Sequence, residues 1–176
     1  MKEKILIVDA YNMIGNWPNL NKIKMDNRLE DARDELLKEL AEYKKYEDEQ
    51  IIVVFDAMYV PGNAKTIKDK QYDMDIVWTS KDQTADSYIE SLAKEKQNRF
   101  TQVIVATSDQ AEQWTVFSAG ALRIPARELF GNITRTKKEV QKQTQKLVDK
   151  GLVIRNTPFD EETLLKLARL RDRLSK

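Results

Sequence analysis

Two short apolar runs in this chain each stop at an aspartate: Ile5 to Val8 closes on Asp9, and Ile51 to Phe55 closes on Asp56. Unbroken runs of mostly β-branched residues, without polar alternation, read as strands buried on both faces. Between them, Asn27 to Tyr46 sets Leu29, Ala32, Leu36, Leu40 and Tyr43 at three- and four-residue spacing, which predicts an amphipathic helix. Strand, helix and strand at these lengths imply a right-handed crossover and a parallel sheet.

The rest of the chain extends the pattern. Asp75 to Thr79 is a weaker strand candidate, Thr84 to Asn98 is helical with Ile89, Leu92 and Ala93 on one face, and Gln102 to Ala106 is a third buried run. A helix is expected from about Gln110 to Ser118 and a short strand over Gly120 to Ile124. The stretch AMYVPGNAKTIKDKQ, with Pro61-Gly62-Asn63 as turn chemistry, reads as an exposed loop. From Ala126 onward the chain is helical, first in the basic stretch TRTKKEVQKQTQKLVDK and then in a last helix carrying Leu164, Leu167, Leu170 and Leu174. The expected class is α/β with a mostly parallel central sheet and extra C-terminal helices. One domain over residues 1–176 is expected, with 126–176 as its helical extension; 176 residues suffice for a single core.

Composition excludes much chemistry. The chain has no Cys and no His. Disulfide frameworks, thiol nucleophiles, zinc fingers and His-based triads are therefore absent, and hydrolysis would have to rely on carboxylates, Lys, Tyr or an oxygen-ligated metal. Net charge is +1, so any attraction for a polyanion must come from charge distribution. The first apolar run is too short for a signal peptide or membrane span, so a cytoplasmic location without membrane association is expected. Neither G-x-G-x-x-G nor a Walker A sequence occurs, which disfavours dinucleotide and P-loop enzymes.

In an open parallel sheet, ligands bind beyond the carboxyl ends of the strands, where the strand order reverses. Asp9 and Asp56 end strands, Asp109 follows VIVATS, and Asp86 heads the helix after the third strand. Four carboxylates are thus expected at one edge. Such crowding raises carboxylate pKa values unless a cation neutralises it, and all-oxygen donors suit Mg2+ or Mn2+. Taken singly, Ser108 or Asp109 and Thr84 or Asp86 read more simply as helix N-caps, and Asp56 reads equally well as a turn residue. Asp9 has no evident turn or capping task. Asn12 is open between orienting a phosphate oxygen or bound water and making an Asx turn. Tyr11, Trp17, Tyr59 and Trp78 read as core more readily than as base-stacking groups.

The segments IVDAYNMIG, VVFDA, TADSYIE and VATSDQAEQW resemble, in order, the motifs of the NYN family of PIN-like ribonucleases, and more narrowly the bacterial YacP group. The resemblance runs from about Lys4 through the ARELF segment and more loosely into the basic helix. It implies a three-layer α/β/α, PIN-like (Rossmann-like) fold and an endoribonuclease that uses Mg2+ or Mn2+. Carried over, Asp9, Asp86 and Asp109 are the central acids, with Asp56 and Asn12 in support. The catalytic set is then Asp9, Asp86, Asp109 and Asn12, and the metal set Asp9, Asp56, Asp86 and Asp109. Ala10 departs from the family, which often has Gly there. The YacP group further implies cleavage of mRNA in the A site of translating ribosomes, by a protein expected to be a monomer. For RNA or ribosome binding the candidates are Lys65, Lys68, Lys70 and Lys81 around the loop and third strand, and Arg135, Lys137, Lys138 and Lys142, with Lys146, on the basic helix. Setting aside the four acids takes the net charge from +1 to +5. The rival readings are a non-catalytic RNA- or ribosome-binding module and a phosphoacceptor receiver domain, the latter lacking an acidic pair at Asp9-Ala10.

Overall fold

The computed structural model describes residues 2–59, 66–109, 118–149, 166 and 169. The central strand β1 (Glu3–Asp9) is followed by helices α1 (Ala10–Asn16), α2 (Pro18–Met25) and α3 (Leu29–Lys44), then by β2 (Glu49–Phe55) and a short 3-10 turn over Ala57–Tyr59. Next come β3 (Ile67–Gln71), β4 (Met74–Trp78), α4 (Ala85–Lys96), β5 (Thr101–Ala106), β6 (Leu122–Ile124) and the long helix α5 (Ala126–Asp149). The sheet runs β3-β4-β2-β1-β5-β6, parallel throughout except for β3 against β4. This is the expected α/β class.

β1 shows why its run lacks polar alternation. Leu6 and Val8 enter a core with Met13, Ile14, Trp17 and Leu20 of the first helical region and Leu36 and Leu40 of α3, joined by Leu129 and Ile133. Ile5 and Ile7 face the other way, into a core with Ile89, Leu92 and Ala93 of α4. Both faces are covered, as three layers require. The chain builds outward from β1 through β2 to β4 and then returns to the other side of β1 with β5, so the strand order reverses at β1.

Two helices and one strand depart from the sequence expectation. Ala10, Met13, Ile14 and Trp17 are buried at helical spacing, so α1 and α2 fill the region between β1 and α3. Trp17 is extended (φ −83°, ψ 127°) because Pro18 follows it, and Pro18 then opens α2. The supposed loop ends in a strand: β3 pairs antiparallel with β4 through a two-residue turn at Tyr72 and Asp73, whose φ values of 53° and 60° suit a tight hairpin. Its residues IKDKQ are all exposed, so it carries no apolar signal; charged side chains instead protect a sheet edge. The helix expected over 110–118 lies outside the described residues except for Ser118, and the last leucine-bearing helix does too except for Lys166 and Arg169, both helical.

The chain divides into two compact units, residues 1–133 and 134–176. In the first, Leu36 is fully buried. Leu36→Ala should lower stability by about 2–5 kcal/mol through lost burial and a residual cavity. Urea unfolding should show a lower midpoint at unchanged slope.

Candidate active site at the carboxyl edge of the sheet

Asp9 is the last residue of β1 and only 9% exposed. It does have a capping task, contrary to the sequence reading: its Oδ1 accepts from the Asn12 backbone N–H at 3.2 Å and caps α1. The signal was available in the Ala10, Met13, Ile14 and Trp17 spacing, which marks a helix that needs a cap. One such bond does not compensate for burial. Burial, then the neighbouring charges of Asp86, Asp56 and Asp109, push the Asp9 carboxyl up to about 6, while the Asn12 bond pulls the other way. Asp9 therefore senses the other three predicted acids at this edge. Among the described residues no three carboxylates stand close enough to hold an ion as a ready cluster.

The other acids differ in what holds them. Asp56 is a turn residue and more: one oxygen accepts from the Met58 N–H at 2.7 Å and the other from the Ala85 N–H at 2.8 Å. It thereby ties the end of β2 to the start of α4. Thr84 caps α4 by accepting from the Ser87 N–H, so Asp86 is not the cap and stands exposed in the first turn. A carboxylate there is favoured by the helix dipole. Asp109 is exposed just past β5, its backbone N–H bonded to the Thr107 hydroxyl at 3.1 Å.

Asn12 acts across the fold. Its Oδ1 accepts from the Ser108 N–H at 2.9 Å, the Ser108 hydroxyl accepts from the Ala126 N–H at 2.9 Å, and the Trp17 Nε1–H donates to the Ala126 carbonyl at 2.9 Å. These bonds lock α1 to the loop after β5 and to the start of α5. Ser108 is thus a positioning group that sequence reasoning weighed only as a cap. Trp17 is core, as expected. Trp78 stacks on Phe55 with ring centroids 4.3 Å apart, and Tyr11 meets Phe55 edge-on at 5.6 Å. The Tyr59 side chain lies outside the described residues.

The basic candidates fall into separate groups. Lys65 lies outside the described residues. Lys81 is exposed between β4 and α4, at the same edge of the sheet as the acids. Lys68 and Lys70 are exposed on β3, Lys68 with its Nζ 6.0 Å from the Tyr88 ring centre and Lys70 3.8 Å from Asp75. Arg135, Lys137, Lys138 and Lys142 lie in the second unit on α5. There Arg135, Lys138, Lys142 and Lys146 are exposed and recur at three- and four-residue steps, which makes one basic stripe.

The family model for the YacP-like NYN domain matches residues 6–172. This chain belongs to that family. It is 43% identical over 143 residues to the uncharacterized protein YacP of Bacillus subtilis (strain 168), covering 81% of this chain and 82% of the relative. Crystal structures of Rae1 (YacP) from Bacillus subtilis are also similar: one of a point mutant, at 40% identity and TM-score 0.73 over 85% of each chain, and one at 38% identity and TM-score 0.70 over 97% of this chain and 90% of that one. The YacP-like NYN chain described here therefore has the PIN-like fold, and its membership is consistent with nuclease-type function. No helix among its described residues is long and apolar enough to cross a membrane.

The Asp9 carboxyl gives a signed pH prediction. Its folded value of about 6 lies above its ordinary 3.8, so the ionised form costs stability above pH 6, and that cost disappears as pH falls through 6 toward 3.8. The full shift corresponds to roughly 3 kcal/mol. Asn caps helices as well as Asp does, so Asp9→Asn should raise the melting temperature of metal-free protein at pH 8. Melting curves of the two proteins should converge near pH 4.

Proposed function

We propose that this protein is an Mg2+- or Mn2+-dependent endoribonuclease that cleaves mRNA on translating ribosomes by entering the A site. The observation that carries the nuclease reading is Asp9: a buried carboxylate at the point where the strand order reverses, its ionisation opposed by three further acids. A protein gains nothing in stability from that arrangement, and a hard cation would relieve it. The donor set fits, being all oxygen in a chain without Cys or His. Asp9, Asp86 and Asp109 would hold the ion, Asp86 and Asp109 from exposed side chains. Such an ion lowers the pKa of water and stabilises charge on a phosphoryl oxygen.

The chain's own groups would do the rest. Asp56 has both oxygens engaged by backbone N–H groups, so it fixes the start of α4 and hence Asp86, with only its remaining lone pairs for the ion. Asn12 has its amide oxygen on Ser108, which leaves the amide nitrogen as the donor for a phosphate oxygen. The ribosomal part of the reading rests on family membership and on the net charge of +1, which is too small for tight binding of naked RNA. A ribosome would supply the orientation and effective concentration that a small domain lacks.

Cleavage of a translated message, with and without ribosomes and with and without EDTA, tests this directly. Asp9→Asn and Asp86→Asn should each lower the cleavage rate by roughly 100-fold or more while the proteins stay folded. Wild-type rates in both variants would remove the catalytic assignment, and leave the non-catalytic binding module as the reading. Equal rates and cut sites on free and translated RNA would remove the ribosome alone.

The basic stripe should act on association. Replacing Arg135, Lys138 and Lys142 together by Gln should weaken binding to RNA or ribosomes and flatten the dependence of log affinity on log salt by roughly 0.7 per lost contact to a single strand. Turnover of bound substrate should be unchanged.

A further inference from the structure

The sheet is wider than α4, the helix on one of its faces. Among the described residues α4 packs mainly on β1, β5 and β2, while the sheet runs on through β4 to the edge strand β3. That leaves an open-mouthed cavity of about 570 Å3, with Ile52 and Val77 in its floor and Tyr88 and Leu92 of α4 as its wall. Its size suits one small organic ligand. Strand register puts two lysines of β3 at its rim: Lys68 pairs with Val77 and Lys70 with Asp75. Both therefore share the face that Val77 turns to the α4 core, and alternation turns Asp69 to the other.

The charges around the cavity are not equivalent. Asp75 is engaged twice, by the Gln50 amide N–H at 2.7 Å and by the Lys70 Nζ at 3.8 Å, and Glu95 meets Lys96 at 3.1 Å. Lys68 has no acid partner among the described residues; its Nζ lies 6.0 Å from the centre of the Tyr88 ring. On the opposite face of the sheet the Arg33 guanidinium lies 5.6 Å from the rings of Tyr11 and Trp78, but there the Tyr11 hydroxyl takes its Nε–H. The ammonium beside Tyr88 spends no N–H on an acceptor, so its donors serve an anion at the rim.

The cavity thus combines an apolar floor, one aromatic side, one cation without an acid partner, and amide, hydroxyl and carboxylate groups in its walls. An acyl chain would cover the floor and leave those polar groups without water or partners. A nucleobase has a flat apolar face and an edge of donors and acceptors, which Gln50, the Tyr88 hydroxyl and Glu95 complement.

We infer that this cavity binds a nucleoside monophosphate, with its base between the sheet and the Tyr88 and Leu92 wall and its phosphate on Lys68. The same unit has two sources, a free mononucleotide or one nucleotide of an RNA strand. The second source rests on the ribonuclease reading. α4 carries Asp86 and Tyr88 two residues apart, a rise of about 3 Å, so the cavity opens off the helix turn that presents an acid to the catalytic edge.

The test titrates full-length protein with AMP, CMP and their nucleosides, read by calorimetry and by amide chemical shifts. Each monophosphate should shift Lys68, Val77 and Tyr88 and bind about 10-fold more tightly than its nucleoside, the worth of one charge-assisted contact. Lys68→Gln, an exposed change on an edge strand, should abolish that preference and leave nucleoside affinity unchanged, whereas Lys68→Arg should keep it. Tyr88→Leu should weaken both ligand types several-fold; if melting curves show that it does not fold, the Lys68 variants decide. No binding of either monophosphate, shifts that cluster away from the cavity, or a phosphate preference that survives Lys68→Gln would overturn the inference. The source is read with a fluorescent single-stranded RNA decamer on an Asp9→Asn background, so that RNA survives. If the strand is the source, AMP displaces the decamer and Lys68→Gln flattens the slope of log affinity against log salt by roughly 0.7. Binding of AMP in the cavity without displacement upholds the site and makes free mononucleotide its ligand. Failure at the cavity in a protein that cleaves RNA overturns the inference and leaves the ribonuclease reading intact; binding there in a protein that cleaves none upholds the site and overturns the nuclease.

Discussion

The bond from the Asn12 backbone N–H to the Asp9 carboxylate is where the architecture and the chemistry of this protein meet. It turns the chain from the central strand into α1 at the point where the strand order reverses. It also holds an ionisable group in a place that water barely reaches. A neutral cap would make the same turn without opposing burial or neighbouring acids. The choice of aspartate is therefore unfavourable for the fold taken alone, and that is the pattern expected of a group kept for a ligand.

Around this group the fold acts as a set of short ties. Asp56 links the end of β2 to the start of α4, Thr84 caps α4, and Asn12 and Ser108 link α1 to α5 through the loop after β5. Except for the local Thr84 cap, these ties join segments distant in sequence, and each ends near an acid. Residues that look like ordinary turn and capping chemistry thus set the positions of those that would bind an ion. Capping and an unfavourable ionisation coexist at this edge: Asp9 caps α1, and yet burial, then its acidic neighbours, raise its carboxyl.

The same logic separates the aromatic groups. Trp17 is fully buried and uses its indole N–H inside the tie to Ala126, so it belongs to the core. Tyr11 and Trp78 are half-buried and face a guanidinium. Membership of the YacP-like NYN family is consistent with nuclease-type function, and the acids belong to the first compact unit while the basic stripe of α5 belongs to the second.

Much of this was legible from the residues. The unalternated runs at Ile5–Val8 and Ile51–Phe55 determined strands buried on two faces, and the Leu29 to Tyr43 spacing determined the helix between them, because apolar periodicity reports directly which faces meet the core. The four aspartates could be assigned to one edge for the same reason: they end or follow parallel strands. What sequence left unread were elements without that signal. β3 is charged and wholly exposed, and exists because β4 offers it a hydrogen-bonding edge. Nothing in the local spacing of Arg33 records that Tyr11 and Trp78, 22 residues before it and 45 after it, come to lie against its guanidinium. Local pattern determines which residues are buried and in what element; only the tertiary structure decides which distant groups face one another, because that depends on strand order and crossover rather than on any single element.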